Sequence, residues 1–449
     1  MSKTFIVNGT IIDPSQDHSK KGVLVIEGGK ILAIEESVDI PKDFDGEVFD
    51  ADGKWIIPGL IDAHVHLREP GQEWKETILS GSKAAIAGGY TSIMCMPNTT
   101  PAIHSAEIVE FVLKKGREAN LARILPIGAV SLSRKGEQIA PLLELAEAGC
   151  VAFSDDGDPV WDAGLMRRAL QISASLNMPI CCHEEDCSIT HGGTGSTNGG
   201  VMDECGHSFR LGYKGMPAVA EEVMIARDIE LARETGGHAH ICHVSTARGA
   251  LLIERAKQDG IKVTAEVTPH HLHLTHDDVD GIDTHYKMSP PLRAAEDVEA
   301  LRDALSTGVI DMIASDHAPH ERDSKECEFE SATMGITGLQ TNLSLTLQLV
   351  NDGVISKERA IDALSTQAAQ LIGVDTGSFK KGAPADVVTI DPKGKWELDE
   401  KSNCSKSVNT PFWNQEMPGG VDTVFVDGEC KLRDGKFVES IVHKKVANQ

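Results

Sequence analysis

The chain has 449 residues, 41% of them hydrophobic and 25% charged, and a formal net charge of −25 at pH 7. That length holds one large domain and a smaller one. The acidic surplus argues against a nucleic-acid partner, and no stretch approaches the roughly eighteen apolar residues of a membrane span.

The first residues, "MSKTFIVNGTIIDPSQ", lack the apolar core of a secretory signal, so a cytoplasmic protein is expected. In a reducing compartment its ten cysteines should be mostly free thiols. Cys95, Cys150, Cys181, Cys182 and Cys242 read as small apolar strand residues. From residue 4 to about 57 the chain alternates short strands with Gly-rich turns, and "EGGK" and "ADGK" read as hairpins. "GAPADVVTIDP" and "TVFVDGECKLRDGKFV" repeat this grammar near the other end. Both ends should pair into one small β-sandwich domain, residues 1–57 and 374–449, around an inserted middle, 58–373.

The middle alternates eight apolar runs with amphipathic helices: 60–67, 90–98, 122–131, 150–157, 178–186, 238–245, 262–271 and 311–320. Near-continuous apolar strands separated by helices indicate a buried parallel sheet, and eight such units have the size of a (β/α)₈ TIM barrel. Polar residues gather at the C-terminal ends of these runs: His64 and His66, Asn98, Asp155 and Asp156, His183, His243, Asp316, His317 and His320. Barrel enzymes assemble their active sites at that face.

In "DAHVHLREPG", His64 and His66 stand two apart in a strand, which projects both rings to one face. With His183, His243 and Asp316 they exceed the needs of one tetrahedral zinc. A second metal would use the surplus if a carboxylate of "SDDG" bridged the pair; spacing alone leaves Asp155 and Asp156 open. Arg68 suits a substrate carboxylate, with a surface salt bridge as the plain alternative, and Asn98 offers a further hydrogen bond. His270 and His271 read as structural.

"DAHVHLREPG", "CMPNTTP", "AFSDDG", "CHEED", "CHVST", "EVTPHHL", "KMSPPLR" and "SDHAPH" resemble, in order, the blocks of dihydroorotases in the amidohydrolase superfamily. The aspartate in "SDDG", where hydantoinases and allantoinase carry a modified lysine, resembles the bacterial type I enzymes. The resemblance implies reversible cyclisation of N-carbamoyl-L-aspartate to dihydroorotate, a step of pyrimidine biosynthesis. It implies one or two zinc ions, with two expected: His64, His66 and Asp316 on one, His183 and His243 on the other, and Asp156 between them. Asp316 would be the catalytic acid and base. Arg68, Asn98 and His320 would bind the substrate carboxylate, and His66, Ser289, Met334 and Gly335 would complete the substrate contacts.

Ser289 is a departure, because the family usually has asparagine there. Gly- and Ser-rich residues 189–209 read as a flexible loop near the mouth, and 321–335 as a mobile lid or an exposed connection. The expected partner is the small-molecule substrate, with a homodimer and association with aspartate transcarbamoylase as the protein partners and no membrane or nucleic acid. The rival readings are another cyclic amidohydrolase, allantoinase or dihydropyrimidinase, and a metal-free homologue serving aspartate transcarbamoylase as a scaffold.

Overall fold

The computed structural model describes residues 3–191 and 199–438. Eight parallel strands form the central sheet: β1 (Leu60–Val65), β2 (Tyr90–Cys95), β3 (Arg123–Ala129), β4 (Ala152–Ser154), β5 (Pro179–Cys182), β6 (His238–Ile241), β7 (Val263–Val267) and β8 (Met312–Ile313). They lie side by side in chain order. The ends meet through a parallel bridge between Val65 and His317, where the His66 amide donates to the His317 carbonyl over 2.9 Å. The sheet thereby curls into the expected (β/α)₈ barrel.

Each strand is shorter than its apolar run, so the polar residues at the run ends fall at or just beyond the last ladder bonds. Inside the barrel, Ile61, Ala63, Met94, Ile127, Ala152, Cys181, Cys242 and Met312 pack as one cluster. The alternate residues, such as Ile93, Phe153, Ile180, Ile241 and Val267, pack outward against helix residues including Val109, Leu165, Ile225 and Ile253. Burying each large aliphatic side chain contributes about 1.5–3 kcal/mol, so this two-sided core holds the strand ends in place. The helices follow local rules: Ala163–Leu176 starts where the Asp162 carboxylate accepts from the Leu165 amide at 2.6 Å and stops at Asn177 in the left-handed region.

Strands from both chain ends share a second sheet. Lys3–Asp13 pairs antiparallel with His18–Glu27, which turns through Gly28 and Gly29 onto Lys30–Glu35 as "EGGK" suggested. Trp55–Pro58 joins it to Val387–Glu397, and Glu416–Val426 follows. "ADGK" is different. Its flanking strands, Glu47–Asp50 and Trp55–Pro58, do not pair with each other but both run parallel to Lys3–Asp13. The turn stacks on the kink at Asn8, whose carbonyl accepts from the Gly53 amide at 2.8 Å. The two short strands therefore continue along one partner instead of folding back.

The segment 398–412 leaves this sheet and runs against the barrel loops: Gln340 Nε2 donates to the Ser402 carbonyl at 2.9 Å, and Ser407 Oγ to the Lys75 carbonyl at 2.8 Å. Among the described residues no helix is long and apolar enough to cross a membrane. All ten cysteines are free, and the five assigned to strands are buried. Burial pushes the Cys95 and Cys150 thiols up to about 12, so both stay protonated and inert.

Candidate active site

His64 lies within β1, and His66 follows directly after the strand. The pairing of β1 with β2 slips between Asp62 and Val65. That irregularity passes the inward face from Ile61 and Ala63 to His64 and His66, as bulges beside active sites do. The two rings end 5.2 Å apart, edge to face.

Each ring is fixed by an acceptor on its far nitrogen. His64 Nδ1 lies 2.6 Å from Glu266 Oε1, and His66 Nδ1 lies 2.9 Å from Asn98 Oδ1. In the neutral rings Nδ1 keeps its proton and the Nε2 lone pairs face inward, toward Asp156 and Asp316. His240 Nε2, 3.2 Å from the other Glu266 oxygen, completes this buried chain.

Asp156 stands among four imidazoles. Its Oδ1 is 3.4 Å from His64 Nε2, 3.5 Å from His183 Nδ1 and 3.5 Å from His243 Nε2, and its Oδ2 is 3.5 Å from His66 Nε2. Asp155, left open by spacing, is turned away. It accepts from the Ser131 amide at 3.0 Å and from the Ser131 hydroxyl. His183 follows β5, with its Nε2 3.5 Å from Glu185. His243 is held by the loop after β6, where buried Glu221 accepts the Ser245 and Thr246 amides at 3.1 Å.

Two ligand groups result, His64–His66–Asp156 and Asp156–His183–His243, each with donor atoms within 4.8 Å of one another, and Asp156 belongs to both. Asp316 Oδ1 adds to the first, 2.9 Å from His66 Nε2 and 3.5 Å from His64 Nε2. The buried atoms His64 Nε2 and Asp156 Oδ1 have no hydrogen-bond partner. An orphaned buried polar atom costs about 1–3 kcal/mol. A cation beside both removes that cost, so the donor set fits a metal centre.

The electrostatics agree. Burial opposes charge on His64, but Asp156, Asp316 and Glu266 outweigh it and hold its pKa well above the ordinary value. Burial likewise opposes charge on His183, and Asp156 and Glu185 raise it to about 10. Burial works against ionised Asp316 too, yet His64 and His66 bring it down to about 2. His66 moves the other way, lowered mainly by burial.

A cavity of about 410 Å³ opens over the cluster, lined by His66, Asn98, Asp156, His183, His243 and Asp316, and also by Arg68, Ser289, His320, Met334 and Gly335. The sequence-selected residues thus converge, with His64 buried beneath the rest. Arg68 is not a surface ion pair. It is 7% exposed, donates from Nε to the Pro319 carbonyl at 3.2 Å and places Nη2 3.3 Å from His320 Nε2. Burial lowers Arg68 to about 10, which leaves it charged at neutral pH. Burial, with Arg68 and Lys75 nearby, brings His320 down to about 2, so this ring is neutral. With Nε2 accepting from Arg68, His320 Nδ1 carries the proton, buried without a partner.

Arg68, His243 and Asp316 have φ of 61°, 34° and 42°. Left-handed backbone at non-glycine positions costs of order 1–3 kcal/mol and clusters where function fixes side-chain direction.

Several cavity residues escaped the sequence reading: Gln72, Arg134, Glu185 and His191. Glu266 also escaped, though a lone carboxylate within the apolar run "KVTAEVT" must find a partner once buried, and that was its signal. His271 is structural, with Nδ1 bonded to Thr268 and Nε2 to the Pro290 carbonyl, whereas His270 Nε2 is buried without a partner. Residues 321–335 are pinned: Lys287 Nζ donates to the Phe329 carbonyl at 2.7 Å and Lys325 Nζ to the Thr333 carbonyl at 2.9 Å. Of the 189–209 segment, residues 192–198 lie outside the described residues.

Comparison with known proteins bears on the family and the fold. A family profile described as "Dihydro-orotase-like" matches residues 53–249. The chain is 45% identical to a dihydroorotase of Pelobacter propionicus, over 95% of this chain and 99% of that one. It is 44% identical to a dihydroorotase of Anaeromyxobacter dehalogenans, over 96% and 98%. Among solved structures, an L-hydantoinase (dihydropyrimidinase) from Arthrobacter aurescens superposes with a TM-score of 0.86 at 24% identity, covering 98% of each chain. That last likeness speaks for the fold alone. The dihydroorotases match in sequence along nearly the entire length, and the chain belongs to the dihydroorotase family.

Proposed function

We propose that the protein is a zinc-dependent dihydroorotase that interconverts N-carbamoyl-L-aspartate and dihydroorotate, with two ions held as a pair. The observation that carries this reading is the position of Asp156 between His64–His66 and His183–His243, with Asp316 beside the first pair. Imidazole and carboxylate donors suit zinc. When bound, the metal supplies Lewis acidity at the reacting carbonyl and makes water acidic enough to react near neutral pH.

The chain's own groups do the rest. Asp316, ionised and at the cavity floor, is the general base and acid. In ring opening it takes the proton of the attacking water and hands it to the departing ring nitrogen. In ring closure it takes the proton of the attacking ureido nitrogen and delivers it to the carboxylate oxygen that departs as hydroxide, which becomes water with a second proton taken from solvent. Arg68 and the neutral His320 bind the substrate carboxylate, one as a charged fork and the other through its Nδ1 proton. Asn98 fixes His66 and faces the cavity. Ser289, Met334 and Gly335 shape the remaining wall. A serine hydroxyl at 289 reaches less far than the family's asparagine and keeps a hydroxyl donor on that wall.

The likeness to a hydantoinase fold does not carry its activity. The buried Arg68 cation in the cavity favours a carboxylated ring over a neutral one, and the aspartate at 156, where hydantoinases carry a modified lysine, resembles the bacterial type I dihydroorotases. The domain limits 1–57, 58–373 and 374–449, a cytoplasmic location, a homodimer and association with aspartate transcarbamoylase complete the reading. They are supported by strands of both ends sharing one sheet and by the resemblance to bacterial type I enzymes.

The test is turnover of L-dihydroorotate and N-carbamoyl-L-aspartate by the purified protein, with allantoin and dihydrouracil as controls. Turnover of the first pair alone is expected. Turnover of allantoin or dihydrouracil instead, or of none of them, overturns the assignment.

A further inference from the structure

Asn409 lies far along the chain from the barrel strands, yet it is 1% exposed and both polar atoms of its side chain are used at the cavity rim. Its Oδ1 accepts from the His320 amide at 3.0 Å. Its Nδ2 donates to the Ala318 carbonyl at 2.9 Å and the Gly335 carbonyl at 3.0 Å. Its own carbonyl accepts from the Thr337 amide at 2.9 Å. One amide therefore joins two loops that both line the cavity, the 318–320 loop after β8 and the 335–337 turn. Two carbonyls on one side and an amide on the other leave a single sensible orientation for the group.

The neighbours continue the pattern. Segment 398–412 also grips the loop after β1: the Lys406 amide donates to Glu76 Oε1 at 3.2 Å, and Ser405 Oγ bonds the same carboxylate. Glu76 in turn faces His317 Nε2 at 3.3 Å. The segment thus fastens the loops that carry Arg68, His317, His320 and Gly335, and among the described residues it makes no hydrogen bond to the side chains proposed as metal ligands.

We infer that Asn409 is a positioning residue for substrate: it sets His320, and through the His320–Arg68 contact the carboxylate-binding arm, against Gly335. This deepens the proposed function and rests on it for its kinetic expression. It acts through backbone groups, so its loss leaves the metal ligands in place and loosens the arm.

The test compares full-length wild type with Asn409→Ala, Asn409→Asp and Asn403→Ala. Asn403 bonds only within the segment, donating to the Ser405 and Ser407 carbonyls. Three quantities are read: KM and kcat for L-dihydroorotate, metal per chain, and amide hydrogen exchange over 316–322 and 333–338. For Asn409→Ala, KM should rise roughly tenfold, the scale of a lost positioned hydrogen bond, with kcat within about threefold and metal content unchanged. Asn409→Asp keeps the acceptor but turns an oxygen toward two carbonyls, so it should do no better. Exchange should quicken in both peptides for both variants, and Asn403→Ala should match wild type. Wild-type KM and exchange in a folded Asn409→Ala would overturn the inference, as would metal loss or equal effects from Asn403→Ala. If wild type fails to turn over dihydroorotate, the proposed function falls, and the exchange of the two peptides still decides the role of Asn409.

Discussion

The proposed metal-ligand cluster and the proposed carboxylate-binding arm share one cavity but are built differently. The cluster stands on strand ends, and its rings are held from within the barrel, His64 by Glu266 and His66 by Asn98. The arm stands on loops: Arg68 reaches His320 and the Pro319 carbonyl, and that loop is held by a segment from near the chain's other end. The difference separates chemistry from recognition. The groups proposed to hold ions and move protons stand on strand ends fixed from inside the barrel, and those proposed to select the substrate stand on loops, which can vary without disturbing the strands.

Substitutions in the two regions should therefore fail differently. Asp316→Asn removes the base and a carboxylate from the cluster, and turnover should fall by about 10³-fold or more; near-normal kcat would break the assignment. Arg68→Ala should raise KM roughly 10²-fold while kcat holds, as expected for a charge-assisted carboxylate contact. A fall in kcat at constant KM would instead place Arg68 with the chemistry. Glu266→Gln contacts neither substrate nor cavity, yet it should weaken metal affinity by about tenfold, because His64 loses the carboxylate that orients it. Unchanged affinity in a metal-competition titration would show that packing alone positions the ring.

The smallest signal is protonic. Without a bound metal, burial is outweighed by the neighbouring carboxylates at both rings: the His64 pKa is held well above its ordinary value and that of His183 at about 10, which favours the charged form of each. A ligating imidazole must be neutral. Metal uptake should therefore release protons from these rings, and apparent affinity should fall as pH falls from about 10 through neutrality. Calorimetry in buffers of different ionisation enthalpy measures the count; no release would contradict the electrostatics described for the cluster.

The sequence made the cluster legible because its residues obey strand arithmetic. His64 and His66 share a face, and His183, His243 and Asp316 each close an apolar run. Even so, the inward direction of the face shared by His64 and His66 depends on the slip after Asp62, which alternation alone does not show. Asp155 and Asp156 were indistinguishable by spacing. Ser131, which occupies Asp155, comes from the end of another strand, so only the fold separates them. The arm was half legible. Arg68 and His320 sit in motifs and Met334 and Gly335 close the 321–335 stretch, but Asn409 is a polar residue in an irregular stretch whose partners lie more than seventy positions away. The "ADGK" turn misled for a related reason. Its local chemistry is that of a hairpin, and the choice of a common parallel partner is made by a distant strand.

The account turns on Asp156 joining two histidine pairs into one centre. The most direct measurement is the zinc content of wild type and Asp156→Ala, purified side by side and checked for folding. Two ions per wild-type chain, falling to one or none in the variant, is the predicted result. Stoichiometric zinc that does not change when Asp156 is removed would contradict the bridge, and with it the two-ion reading of the site.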